Sequence, residues 1–168
     1  MTGSIALVGF MGAGKTQVGR LVARRLGVPF VDTDKVLSGR HGTIAALFEE
    51  RGEEGFREIE RDIVLEQLAA AESSARVVAL GGGAVTIDDV REALKRLPHV
   101  VWLDAPPEVL FGRLRPGTRP LARDKARFAE LYDERRPLYG EVSTAAVRTA
   151  GRERLVWVAD RVLAAVAA

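Results

Sequence analysis

Apolar residues along this chain fall into short unbroken runs, separated by longer stretches in which they recur every three or four positions. Ser4-Ile5-Ala6-Leu7-Val8 is the first run, and Val18, Leu21, Val22 and Leu26 follow at helical spacing up to Gly27. A run of this length bounded by turn residues reads as a buried strand, and the spaced pattern reads as an amphipathic helix. Val28-Pro29-Phe30-Val31-Asp32-Thr33-Asp34 is a second buried strand, ending in two carboxylates. Residues 35–42 form a short helix closed by Gly42, and Thr43 is placed to N-cap another that ends at Gly52. From Glu53 to Ala71, Phe56, Ile59, Ile63 and Leu68 mark the apolar face of a longer helix.

The alternation continues to the end of the chain. Arg76-Val77-Val78-Ala79-Leu80 is a strand running into Gly81-Gly82-Gly83, and Thr86 opens a capping-box-like start to a helix through Arg96, stopped by Pro98. His99 to Asp104 is a fourth strand, with His99 as its entry residue, and Pro106-Pro107-Glu108 opens a helix toward Leu114. Two prolines and a glycine break the pattern from Arg115 to Leu121. A helix over 125–139 carries Phe128, Leu131 and Tyr132 and ends near Arg135-Arg136-Pro137-Leu138-Tyr139, Ala145 to Thr149 is the last strand, and Leu155 begins a final apolar-faced helix. Five strands alternating with helices predict a parallel α/β sheet with helices on both faces, in a single domain over residues 1–168.

Composition narrows the chemistry. With 47% hydrophobic and 29% charged residues, the chain reads as a soluble globular protein, and no apolar run approaches the roughly 20 residues of a membrane span. No basic region precedes the short first run, so a cytoplasmic protein with no targeting segment is expected. Cysteine is absent and histidine occurs twice, which excludes disulfides and a zinc site. A net charge of +2, without basic residues interleaved with aromatics, gives no footing for nucleic acid. Because the basic residues are mostly arginine, an arginine counts as a candidate here only when its position supports it.

Gly9-Phe10-Met11-Gly12-Ala13-Gly14-Lys15-Thr16 is a complete G-x-x-x-x-G-K-[ST], set between the first strand and the first helix. Glycines let the backbone turn its N–H groups inward on phosphates, and the helix N-terminus adds positive potential. Lys15 is placed to reach the β- and γ-phosphates and Thr16 to ligate Mg²⁺, so the chain is expected to bind a nucleoside triphosphate with its metal. Strand C-terminal ends form the ligand crevice of such a sheet, which puts Asp32, Asp34 and the triple glycine beside the phosphates. The two carboxylates share a face if the strand continues and diverge if a helix starts at Thr33; Asp34 is also placed to be an N-cap. Arg57, with Glu60 and Arg61 one turn later, is either a binding residue or part of a solvated face. Arg119, between the two prolines, belongs to a candidate lid or to a solvated loop. Without an N-K-x-D guanine signature, the set reads as a small-molecule kinase, with Asp34 orienting an acceptor hydroxyl and Lys15 and Arg119 covering the transferring phosphoryl. Arginines on the acceptor side point to an anionic substrate.

Gly9 to Thr16, Asp32-Thr33-Asp34, Gly52-Glu53 with Phe56-Arg57 and Glu60, Leu80-Gly81-Gly82-Gly83, Arg119-Pro120-Leu121, and Arg135 before Pro137-Leu138-Tyr139 occur in the order found in shikimate kinases. The chain resembles that family over nearly its whole length. The resemblance implies a three-layer P-loop kinase fold like that of the nucleoside-monophosphate kinases. Its five-stranded parallel sheet is accompanied by a substrate-binding helical region at about 33–61 and a lid at about 113–125. It implies transfer of the ATP γ-phosphoryl to the 3-hydroxyl of shikimate, on the way to chorismate and the aromatic amino acids. Carried over residue by residue, Gly12, Ala13, Gly14, Lys15, Thr16 and Gln17 hold the phosphates, Thr16 and Asp32 serve the metal, and Asp34 holds the acceptor hydroxyl. Arg57 and Arg135 bind the shikimate carboxylate, the backbone of Gly81, Gly82 and Gly83 lines the ring, Arg119 reaches the phosphates from the lid, and Arg113 packs on adenine. Two other readings stay open on the residues alone: another small-molecule kinase such as a gluconate kinase, or a nucleotide-dependent binding module without catalysis. A monomer is expected, since the helix faces assigned to the core leave no long apolar face over.

Overall fold

Ile5–Val8 is apolar at every position and all four residues are buried, which puts this strand, β1, at the centre of the sheet. In the computed structural model, which describes residues 3–114, 124–149 and 151–168, five parallel strands run in the order β2-β3-β1-β4-β5. The others are β2, Phe30–Asp32; β3, Val77–Ala79; β4, His99–Asp104; and β5, Ala145–Arg148. β1 hydrogen-bonds with β3 on one side and β4 on the other. Fully apolar strands such as β1 and β3 suit a sheet covered on both faces.

The helices are α1, Lys15–Leu26; α2, Thr33–His41; α3, Ile44–Ser73; α4, Asp88–Leu94; α5, Pro107–Gly112; α6, Lys125–Val142; and α7, Leu155–Ala167. The path from β1 out to β2 crosses the sheet one way, and every later connection crosses it the other way. Right-handed crossovers therefore place α1 on one face and α3, α4 and α6 on the other, and α7 packs beside α1. Phe10, Val64, Leu68, Phe128 and Tyr139 belong to the large central cluster, whereas Leu37, Leu47, Phe56 and Ile63 make a smaller apolar cluster between α2 and α3.

Several local expectations change. β2 stops at Asp32 because α2 begins at Thr33, so the two carboxylates do not share a strand face. The N-cap is Asp32, whose Oδ1 accepts hydrogen bonds from the N–H groups of Asp34 and Lys35, and Asp34 is left in the first helical turn. Thr43 does cap α3, accepting from Ala46 N–H, and Gly52 does break it, with φ 68° and ψ −177° inside what is otherwise one helix. Thr86 is not the cap of α4: it closes a 3₁₀ turn, Ala84–Thr86, and Ile87 precedes the helix. α6 runs past Tyr139 to Val142, with Pro137 inside it. A proline removes one hydrogen bond, and the packing of Tyr139 and Val142 on the core outweighs that loss.

Candidate active site

The phosphate loop is built as its spacing demands. Gly9, Gly12 and Gly14 all have positive φ, and Gly14 caps α1 with no side chain, so the first amides of the helix face the cleft unspent on a cap. Lys15 Nζ donates to the carbonyls of Gly9 at 2.6 Å and Phe10 at 3.0 Å, which folds the ammonium back over the loop. Thr16 Oγ1 donates to Asp32 Oδ2 at 2.5 Å. Hydroxyl and carboxylate oxygens brought together beside a phosphate loop are a hard donor set, which fits a small divalent cation.

Above the loop lies an open cleft lined by Gly12, Gly14, Lys15, Thr16, Gln17 and Asp32. Arg113, Gly151, Glu153 and Leu155 also line it. Arg113 Nη1 donates to the Gly12 carbonyl at 3.0 Å, tying the end of α5 to the phosphate loop. Ala13 is buried and its N–H donates to the Phe10 carbonyl, so it shapes the loop from within. Arg119, and with it most of the expected lid, lies outside the described residues.

A second, smaller cavity adjoins the cleft. Its apolar wall is Ile44, Phe48 and Phe56 from α3, and its polar wall is Asp34, Arg57, Glu60 and Arg135 with the backbone of Gly82 and Gly83. Met11 and Asp34 line both cavities, so Asp34 stands where they meet. Gly81 lies just behind this wall, and a Cβ there would fall 2.6 Å from Asp34 Oδ1 and 2.7 Å from Glu60 Oε1. A glycine is needed at that point because the carboxylates come up against the backbone itself.

Charge in the small cavity is buried charge. Glu60 is 2% exposed and ion-pairs with Arg57. Burial pushes its carboxyl above the usual range, against the opposing pull of Arg57. Arg135, on α6, is 3% exposed, and burial, helped by the neighbouring charge of Arg57, lowers its pKa. Its Nε has no hydrogen-bond partner among the described residues. Its guanidinium stacks 5.5 Å from the Phe10 ring centroid, as Arg57 does 5.2 Å from that of Phe56. Two arginines facing one cavity with a single buried carboxylate between them leave room for an anion.

A family model described as shikimate kinase matches residues 11–167. The chain belongs to the shikimate kinase family. A shikimate kinase from Symbiobacterium thermophilum is 45% identical over 157 residues, covering 87% of this chain and 86% of the relative. Among solved structures, the shikimate kinase from Acinetobacter baumannii in complex with shikimate superposes with a TM-score of 0.90 at 36% identity, over 97% of this chain and 92% of that one. A gluconokinase from Sinorhizobium meliloti is similar at a TM-score of 0.66 and 22% identity, over 99% of this chain and 92% of that one. At that identity the likeness is one of fold, and the shikimate kinase family takes the place of the gluconate kinase alternative.

Sequence reasoning left out several of the lining residues. Glu60 was visible three positions after Arg57, on the same helical face. Gly151 and Glu153 follow the end of β5, where strand C-terminal ends mark the crevice. Ile44 and Phe48 gave no signal beyond an ordinary apolar face.

Proposed function

We propose that this chain transfers the γ-phosphoryl group of ATP to the 3-hydroxyl of shikimate, giving shikimate 3-phosphate and ADP within aromatic amino acid biosynthesis. The observation that carries the reading is Asp34, shared between a phosphate-binding cleft and a cavity holding a buried, incompletely bonded arginine. Family membership supplies the reaction class, and the shikimate named with the Acinetobacter baumannii relative supports the acceptor.

Phosphoryl transfer asks for alignment of acceptor and donor and for cover of negative charge. In this reading Arg57 and Arg135 take the shikimate carboxylate, where paired guanidinium groups in a low-dielectric cavity hold it far better than water does. The ring lies between the apolar wall of Phe48 and Phe56 and the glycine backbone, which turns one hydroxyl toward Asp34. Asp34 accepts that hydroxyl's hydrogen bond and points its oxygen at the cleft. The amides of the phosphate loop, with Gln17 at the start of α1, hold the triphosphate. Lys15 turns from its carbonyls onto the phosphates, and Arg119 completes the cover from the lid region. Arg113 and the Gly151–Leu155 segment flank the space left for the base. We take the cation held by Thr16 and Asp32 to be Mg²⁺, which when bound neutralises charge on the phosphate oxygens. We also propose that the chain acts as a monomer in the cytoplasm, with residues 33–61 as the acceptor-binding region and 113–125 as the lid of one kinase domain.

ADP release with Mg²⁺-ATP tests the reading when run with shikimate, gluconate, nucleoside monophosphates and no acceptor. Strong turnover with shikimate alone is expected, and it should vanish on chelation of the metal. Turnover with another acceptor replaces the substrate, and ATP binding without turnover restores the non-catalytic module.

A further inference from the structure

Gly82 and Gly83 line the small cavity with Gly81 just behind them, yet a run of three glycines has no side chain with which to hold its own shape. Three side chains hold it from outside: Thr33 Oγ1 accepts from the Gly81 N–H at 3.1 Å, and two hydroxyls fix the carbonyls that follow. Tyr139 Oη donates to the Gly82 carbonyl at 2.5 Å, and Thr86 Oγ1 donates to the Gly83 carbonyl at 2.7 Å. Tyr139 is 1% exposed and its ring stacks 5.9 Å from Trp102 of β4, so the hydroxyl is delivered from a fixed position in the core. It also lies one turn beyond Arg135 on α6, on the same helical face. One rigid element thus carries both an arginine of the cavity and the clamp on the glycine backbone beside it.

We propose that Tyr139 and Thr86 are positioning residues for the acceptor: by pinning successive carbonyls they set the peptide planes of the glycine wall. A trans peptide is planar, and its C=O and N–H point in opposite directions. Fixing the Gly82 carbonyl on Tyr139 therefore turns the Gly83 N–H away from that hydroxyl, and the Thr86 hydroxyl joins the Thr86 N–H in holding the Gly83 carbonyl. Glycine peptides flip readily because no Cβ restricts φ and ψ. Without the two hydroxyls the wall samples other orientations, and the acceptor must select the competent one at a cost in apparent affinity. Burial keeps the Tyr139 hydroxyl protonated, as a donor, across the working pH range.

The inference rests on the shikimate reading above, and its test separates the two. Steady-state kinetics are measured for the wild-type chain, Tyr139→Phe and Thr86→Val, with shikimate and ATP varied in turn and Tm recorded for each. Wild-type turnover of shikimate establishes the reading itself. Tyr139→Phe is then expected to raise the KM for shikimate about fivefold or more, the effect of losing one ordinary hydrogen bond, with the KM for ATP unchanged. Thr86→Val, at an exposed position that leaves the fold intact, is expected to raise the shikimate KM in the same direction by a smaller factor. A lower Tm with both KM values unchanged would make Tyr139 purely structural and overturn the proposal. Equal rises in both KM values would overturn it as well. Should Tyr139→Phe not fold, an unchanged shikimate KM in Thr86→Val overturns it alone.

Discussion

Asp32 and Asp34 are separated by one residue and do different work. Asp32 spends one oxygen on Thr16 and the other on the amides that start α2, so it joins the phosphate loop to the acceptor-binding helices. Asp34, freed from the capping role, lines both cavities. Asp34→Asn keeps the size of the side chain and removes its charge. It should lower kcat by about 10²–10⁴-fold, the range for a lost acid–base or orienting group, while ATP binding followed by titration stays near wild type. Turnover close to normal would take Asp34 out of the orienting role. Arg135 shows a different limit of sequence reading. Its place in the motif marked it as a binding residue, but its burial and unpartnered Nε depend on what α6 packs against, which no local pattern encodes.

At the level of elements, α3 is the part that shapes the acceptor cavity. Ile44 and Phe48 precede its break and Arg57 and Glu60 follow it. The angle between the two halves depends on Gly52, whose φ of 68° with ψ of −177° is a conformation that residues with a Cβ avoid. Nothing lies within 4 Å of a Cβ placed there, so the cost of Gly52→Ala is conformational alone. That variant should lose about 1–3 kcal/mol in denaturant unfolding and raise the KM for shikimate more than that for ATP. An unchanged midpoint would mean that the break is relaxed. The break at Gly52 and the cap at Thr43 were legible because each uses a residue type that few others replace. The true cap of α2 was not, since Asp32, Thr33 and Asp34 are all acceptable caps and tertiary contact with Thr16 decides among them. Thr86 misled for a related reason: its hydroxyl goes back to Gly83 instead of forward to helix amides.

For the molecule as a whole, strand order and the crevice at the strand ends followed from the alternation of runs and helices, since handed crossovers leave few topologies. What the sequence could not carry was the meeting of distant segments, such as Glu153 and Lys15 lining one cleft, because no local pattern encodes a cavity. Two adjoining cavities with a shared wall mean that ligand binding should stabilise the whole fold. Shikimate at about a hundred times its Kd adds about 2.7 kcal/mol. For a chain of this size that is a rise of about 5–10 °C in Tm, to be read by differential scanning fluorimetry. Arg135→Ala should abolish the shift. A shift surviving in that variant would place the carboxylate elsewhere.

The position of β1 has a bearing on how the chain is made. Its residues leave the ribosome before those of the other four strands, yet Ile5 pairs with Val77 on one side and His99 on the other. The strand that ends in the phosphate loop therefore waits until Val77 has been added for its first neighbour and until His99 for its second. During that interval Ile5 to Val8 are an unsheltered apolar segment, the kind that nascent-chain chaperones cover. Nucleotide cannot hasten this stage of folding, because the loop that would grip it has no sheet to stand on until β3 and β4 have been synthesised.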